Sequence, residues 1–284
     1  MSMNFLFKAD YTIQKVFNNN VLLVTQKNKE KILFGKGLGF GRHLGDILPP
    51  DTKIDKIFSL DDKANYNNFK ELVTTIDSEL IGLCEEIIFM ISRELNEELN
   101  EKIHISLTDH IAFTLKRLKQ NDEIENPFLV ETETLYKREF EIAKKAVSML
   151  EKKMNIIIPD GEIGFITLHI HSARNNGKLS NTIKYTFLSN SIVELIEDSL
   201  NVQIDTRSID YARFITHIRF AIERLLNDNS IKNELFDVIK KQYSESYSLA
   251  EKVCILIENE LHLTVVEDEV AYIAVHIEKF KHSS

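Results

Sequence analysis

Four histidines are the side chains most able to do chemistry, because they recur as two pairs. His110 and His169 stand 59 residues apart, and His217 and His276 repeat that spacing at an offset of 107. Neutral imidazole is a nucleophile that titrates near physiological pH. The other five histidines have no histidine at this offset: His43, His104, His171, His262 and His282.

Four interpretations of the retained pairs compete. A structural histidine at a helix edge needs only a hydrogen bond, and this interpretation stays open. A metal site needs three or four ligands and each pair offers two, so no metal ligand is predicted. Acid–base catalysis needs a pocket with a nucleophile or oxyanion donors, and no catalytic residue is predicted. The pattern favours phosphoryl acceptors, because phosphorylation adds a charge that can reset how helices pack.

Three charged residues near the histidines could support such a role. Arg117 and Arg224 also match at the offset, and either could neutralise an incoming phosphate or be a solvated helix charge. Asp109 precedes His110, whereas Thr216 precedes His217. Because a carboxylate beside a histidine can orient the ring, we expect the two copies to differ in reactivity or phosphate donor.

The histidines lie in a tandem duplication. Residues 109–118 align with 216–225, and 162–170 with 269–277, without a gap. Nine of these 19 positions are identical, where background composition would give about one. Both blocks have helical periodicity, and Thr108 or Asp109 is a plausible N-cap of the first.

The elements around the blocks are also predicted to be helical. We expect helices over residues 70–99, 132–154 and 188–200, so that each copy is a bundle of about five helices. The predicted fold is multidomain, with a small antiparallel β domain followed by two tandem homologous all-α helical-bundle domains. The predicted ranges are 1–60, 66–172 and 173–284.

The head of the chain has a different composition. Residues 1–60 carry a net charge of +4 and the remainder −13, which favours a polyanionic partner at the head. Apolar runs at 21–25 and 32–34 flank a polar turn at 26–30, which predicts a small antiparallel meander. A sheet of this size has little core, so dimerisation would help it.

A glycine-rich loop at residues 35–42 is the chemical feature of the head. It lacks the third glycine of a dinucleotide fingerprint and the ending of a phosphate-binding loop. It suits an RNA, because cations meet phosphates and an aromatic ring stacks on an unpaired base. The alternative is a flexible hairpin with Phe40 in the core. The candidate RNA-binding residues are Lys15, Asn20, Lys36, Gly37, Phe40 and Arg42.

Composition excludes several classes. No apolar run reaches the 18 residues of a membrane span, and residues 1–7 do not read as a secretory signal. Two cysteines are too few for a disulfide framework. We therefore expect a cytoplasmic protein without membrane insertion, and no cofactor is predicted.

Together these motifs resemble the BglG/SacY/LicT family of transcriptional antiterminators. The similarity covers nearly the whole chain and lies in residues 15–21, 35–40, 108–111 and 168–170, with His217 and His276. It implies a co-antiterminator RNA-binding domain and two regulatory domains of the phosphotransferase system. Residues 107–113, 126–129 and 161–165 are most similar to the members that control glucose phosphotransferase operons.

The resemblance implies a mechanism and partners. A homodimer would hold a hairpin in a nascent leader mRNA, so that the overlapping terminator does not form. The EIIB component of a sugar permease, of the glucose type, would phosphorylate His110 or His169 when glucose is absent and stop RNA binding. In several relatives the phosphocarrier HPr phosphorylates the second domain to activate it, which leaves its role at His217 and His276 open.

Two rival functions remain. A DNA-binding activator with the same regulatory domains would need a helix-turn-helix module, whereas the head has strand-type runs. A histidine-phosphorylated phosphotransfer protein would pass its phosphoryl group on to an acceptor.

Overall fold

A computed structural model describes residues 11–27, 29–49, 51–59, 61–175, 178–227, 229 and 231–281. The N-terminal residues 1–7, His282 and one residue of the expected turn, Asn28, lie outside this description. The chain forms two compact units. The first comprises Met1–Asn126 and Arg138–Leu179, and the second comprises Pro127–Lys137 and Ser180–Ser284.

The head is a five-stranded antiparallel sheet with the order β4-β1-β2-β3-β5. Its central strands form the predicted meander. Leu22, Val24 and Leu33 are fully buried, which explains the apolar runs seen in the sequence. The strands are β1 (Tyr11–Val16), β2 (Val21–Gln26), β3 (Lys29–Phe34), β4 (Ile47–Leu48) and β5 (Lys56–Ser59).

The rest of the described chain is helical, and five helices in each repeat follow one another in the same order. The helices of the first part are α1 (Lys63–Thr75), α2 (Ser78–Leu95), α3 (Ile103–Leu118), α4 (Leu129–Leu135), α5 (Lys137–Met154) and α6 (Asp160–Arg174). Those of the second are α7 (Leu179–Leu200), α8 (Ile209–Leu226), α9 (Phe236–Gln242), α10 (Ser244–Leu261) and α11 (Glu267–Phe280).

Two predicted helices are interrupted. The expected helix at 70–99 breaks at Ile76, whose backbone is extended, and Asp77 caps the new helix by accepting from the amides of Glu79 and Leu80. The expected helix at 132–154 breaks at Tyr136, which has φ −126° and ψ 43°. Helical periodicity continues through both breaks, so it could not locate them.

The predicted N-cap of the first histidine block is wrong. Helix α3 begins at Ile103, well before Thr108 and Asp109, and Lys102 at its N-cap makes no side-chain capping bond. Thr108 is fully buried inside the helix. The apolar spacing used for the prediction began at Ile111, whereas the helix begins eight residues earlier, a little over two turns.

Helix α4 belongs to the second unit although it lies between α3 and α5 in sequence. It packs on α8, where the buried Tyr211 hydroxyl donates to Glu131 at 2.6 Å. Its counterpart at the offset, α9, packs instead on α10 and α11. The compact units therefore differ from the ranges 66–172 and 173–284, which we keep as proposed limits of the duplicated domains.

Candidate functional site

The glycine-rich loop packs on the asparagine turn that precedes β2. The Gly37 amide donates to Asn20 Oδ1 at 2.9 Å, and the Gly39 amide donates to the Asn19 carbonyl at 2.9 Å. A Cβ on Gly39 would lie 2.2 Å from the Asn18 carbonyl oxygen, so this crossing requires glycine. Gly37 has φ +71°, the second place where the loop needs a glycine.

The tip of this loop is open to solvent. Phe40 is 76% exposed, and the alternative that places its ring in the core is wrong. Lys36 is also exposed, while Arg42 is half-buried. The loop therefore presents an aromatic ring and two cations, which suits stacking and phosphate contact with a nucleic acid.

Two other candidate RNA-binding residues form hydrogen bonds with helices of the first unit. Lys15 Nζ donates to the Val73 carbonyl at the end of α1, at 2.9 Å. Asn20 Nδ2 donates to Glu86 Oε1 on α2, also at 2.9 Å. The structure thus separates the six residues into an open group at the loop tip and a pair with internal partners.

The first histidine pair joins two helices of the first unit. His110 lies on α3 and His169 on α6, with ring centroids 5.0 Å apart. Ser106 Oγ lies 3.2 Å from His169 Nδ1. Burial and then the neighbouring His110 lower the pKa of His169 to about 3, so this ring is neutral at physiological pH.

The buried carboxylate of Glu162 contacts one histidine of this pair. Glu162 Oε2 is 3.0 Å from His110 Nε2 and accepts from the Thr114 hydroxyl at 2.9 Å, while Glu162 Oε1 accepts from Arg117 at 2.6 Å. Burial raises the pKa of Glu162, but contacts with His110, Thr114 and Arg117 outweigh it and leave that pKa below its ordinary value. Arg117 is buried, and its charge is balanced by that of Glu162.

The second pair repeats this arrangement with a more open surface. His217 on α8 and His276 on α11 have ring centroids 4.2 Å apart. Burial and then His217 lower the pKa of His276 to about 4, and burial followed by Arg224 lowers that of His217. His217 is nevertheless exposed, in contrast to the half-buried His110.

The equivalent acid of the second copy, Glu269, has different hydrogen-bond partners. Glu269 gives both carboxylate oxygens to Arg224, each at 2.6 Å. Ala221 replaces Thr114 at the offset, and the Thr216 hydroxyl donates to the Ala212 carbonyl at 2.7 Å. The copies therefore share a histidine pair and an arginine–glutamate pair, but only Glu162 also lies against its histidine.

The sequence contained a signal for these acids. Glu162 and Glu269 are identical at the offset of 107, yet our prediction chose Asp109 as the supporting acid. Asp109 is exposed, and the carboxylate that contacts His110 is that of Glu162. In the described part of the chain, no group of three or more His, Cys, Asp and Glu side chains is arranged to hold a metal ion.

Family comparisons match nearly all of these elements. The CAT RNA binding domain matches residues 11–67, and the PRD domain matches twice, at residues 85–173 and 190–280. The chain belongs to the CAT–PRD family of transcription antiterminators. The sheet and its glycine loop lie within the CAT match, and all four histidines lie within the PRD matches.

Relatives of this antiterminator extend over its length. It is 39% identical to Protein GlcT of Staphylococcus saprophyticus over 95% of this chain and 97% of the relative. It is 41% identical to the PtsGHI operon antiterminator of Bacillus subtilis, covering 95% and 96%. Transcription antiterminator LicT of Bacillus subtilis is 36% identical, covering 94% and 98%.

A solved structure supports the fold of the N-terminal part. The crystal structure of GlcT CAT-PRDI shares 46% sequence identity and has a TM-score of 0.52, covering 59% of this chain and 99% of that chain. The relatives are regulators of transcription rather than enzymes. No helix among the described residues is long and apolar enough to cross a membrane.

Proposed function

We propose that this antiterminator binds a hairpin in a nascent leader mRNA as a homodimer and is switched by histidine phosphorylation. The RNA would contact Lys15, Asn20, Lys36, Gly37, Phe40 and Arg42. Binding would keep the overlapping terminator from forming. The phosphorylation sites would be His110, His169, His217 and His276.

The observation that carries the proposal is the repeated pair of close histidines, each with one ring, His169 or His276, that burial keeps neutral. Each pair joins two helices, with centroids 5.0 Å apart in the first copy and 4.2 Å in the second. A neutral imidazole nitrogen can accept a phosphoryl group, whereas a protonated one cannot. Addition of a phosphate at either junction would place negative charge between two packed helices and change their packing.

The similar proteins support a proposal for the phosphoryl donors. Protein GlcT and the PtsGHI operon antiterminator are among them, which supports a glucose-type EIIB component as the donor to His110 or His169. HPr is the proposed donor to the second pair, whose His217 is exposed. A cytoplasmic location is part of this proposal, because the proposed donors act there.

Dimerisation is supported by exposed aromatic side chains at matching positions of the two copies. Phe113 on α3 is 56% exposed and Phe220 on α8 is 41% exposed. Each lies one helical turn from a histidine of its pair, on the helix that also carries the arginine. An added phosphate would therefore introduce charge close to an apolar surface that could otherwise associate.

A phosphorylation experiment tests this function. The full chain is incubated with phosphorylated EIIB of the glucose permease or with phosphorylated HPr, and the phosphohistidines are mapped by mass spectrometry. We expect EIIB to modify the first pair and lower the affinity for a leader hairpin. Modification that left RNA binding unchanged, or that passed catalytically to another acceptor, would contradict the proposal.

Phe40→Ala should weaken RNA binding without destabilising the fold. Its ring is 76% exposed and contributes little to the core, whereas one stacked base is worth about 1–3 kcal/mol, or roughly 5- to 150-fold in Kd. Fluorescence anisotropy with a leader hairpin measures the change. Lys63→Ala, outside the loop, is the control, and equal affinities of the two variants would remove Phe40 from the interface.

His276 should titrate far below an ordinary histidine. Because burial lowers its pKa to about 4, its ring should stay neutral between about pH 5 and 8. Ring-proton chemical shifts in NMR spectra follow this titration, and the signal that is lost in His276→Ala assigns the residue. A midpoint near the ordinary value of about 6.5 would show that the ring is more hydrated than its position indicates.

A further inference from the structure

The asparagine turn of the RNA-binding domain has a partner inside the first unit. Glu86 Oε1 on α2 accepts from Asn18 Nδ2 and from Asn20 Nδ2, each at 2.9 Å. Asn20 Oδ1 is also occupied, because it accepts from the Gly37 amide. Both groups of the Asn20 amide therefore already have a partner, and the amide cannot turn freely toward a base edge unless the bond to Glu86 breaks.

Helix α2 makes close contact with the turn at Asn18, beside an open cavity of about 740 Å³ that Asn20 and Glu86 also line. A Cβ built on Gly82 would lie 2.5 Å from Asn18 Nδ2 and 2.7 Å from Asn18 Cγ. The helix thus approaches the Asn18 side chain more closely than a residue with a Cβ would allow, and this approach depends on a glycine. An RNA could take over the hydrogen-bonding groups that Glu86 occupies on Asn18 and Asn20 only after α2 released them.

Further contacts hold α2 and α1 against the sheet. Phe34 of β3 stacks on Phe89 of α2 with centroids 4.0 Å apart, and Phe17 meets Phe69 of α1 edge-on at 6.4 Å. Lys15 donates to the Val73 carbonyl and is not directed at a phosphate. These contacts keep Glu86 at a high effective concentration beside the turn.

We propose that Glu86 and helix α2 compete with RNA for the Asn18–Asn20 turn. This inference rests on the proposed RNA-binding function of that turn. Glu86 places a carboxylate where an RNA would bring phosphates, so it also opposes binding by repulsion. The chain would bind RNA in a state in which α2 has left the turn, and the apparent affinity falls with the population of that state.

The test uses the full chain and a fluorescent hairpin from the leader of the Bacillus subtilis PtsGHI operon. We expect Glu86→Ala to lower Kd at least about 5-fold, because two charge-assisted hydrogen bonds to the turn are lost. Gly82→Ala should act in the same direction, since its methyl group pushes Asn18 away while alanine favours the helix. The control is Glu79→Ala, which removes an exposed acid from the same helix.

The outcomes separate this inference from the function on which it rests. If wild type binds the hairpin and both variants only match Glu79→Ala, no competition exists. Weaker binding by Glu86→Ala would show that Glu86 presents Asn20 to the RNA, which also overturns the proposal. If no form binds, the RNA-binding role of the turn fails.

Hydrogen exchange tests the contact between α2 and the asparagine turn in the absence of RNA. Asn20 and Val21 amides donate to Asn18 Oδ1, at 2.8 and 3.0 Å. We expect both amides to exchange faster in Glu86→Ala than in Glu79→Ala, since α2 no longer covers the turn. Unchanged exchange of these two amides would contradict the proposed covering of the turn by α2.

Discussion

Glu162→Ala should destabilise the helices that carry the first histidine pair by about 3–5 kcal/mol, because it leaves the charge of Arg117 buried without a carboxylate to balance it. The Arg117 and Glu162 side chains are only 6% and 2% exposed, and their atoms are 2.6 Å apart. The loss is measured as faster hydrogen exchange in α3 and α6, since a chain with two compact units need not unfold in one step.

The duplication supplies a matched control. Glu269→Ala removes the equivalent acid, but the Arg224 side chain is 25% exposed and can be hydrated. We expect its loss to cost about 1–2 kcal/mol, between the values for buried and exposed pairs. Equal effects in the two copies would show that burial of the arginine does not determine the cost.

The same pair should make the first unit sensitive to acid. The pKa of Glu162 lies below its ordinary value in the folded chain. Its contribution to stability is therefore fully present above the ordinary carboxyl range and is lost as the pH falls through the folded pKa. Replacement of both partners, Arg117→Met with Glu162→Leu, should remove this dependence on pH.

His110→Ala combined with His169→Ala should leave antitermination active in cells without glucose. The two substitutions remove both phosphoryl acceptors of the first domain, so the permease component could no longer inactivate the protein. Glu162 keeps Arg117 and Thr114 as partners after the loss of His110, so no buried charge is left unpaired. The double variant should therefore fold.

A reporter placed behind the leader terminator measures this effect. We expect reporter activity without glucose to rise by roughly 5- to 150-fold, the ordinary range of a coupling between two sites. His217→Ala with His276→Ala is the matched control and should keep the response to glucose. A first-domain double variant that remains silent without glucose would place the control elsewhere in the chain.

The architecture was largely predictable because it repeats. The offset of 107 aligned two histidine blocks without a gap, and helical spacing within them identified the helices. Continuous apolar runs likewise located β2 and β3, whereas β1 was not predicted. The short strands β4 and β5 and the breaks at Ile76 and Tyr136 were missed, because two- to four-residue strands and single non-helical residues leave no periodic signal.

The sequence by itself determined which residues recur: two histidine pairs, two arginines and two glutamates on a duplicated helical scaffold behind a basic head. Only the tertiary structure decided what these residues contact. It placed Glu162 rather than Asp109 against His110, and it placed Glu86 against Asn18 and Asn20, 68 and 66 residues away. Periodicity reports the face of one element, whereas such partners are chosen by how separate elements pack, and a few ångströms of that packing decide which carboxylate meets which donor.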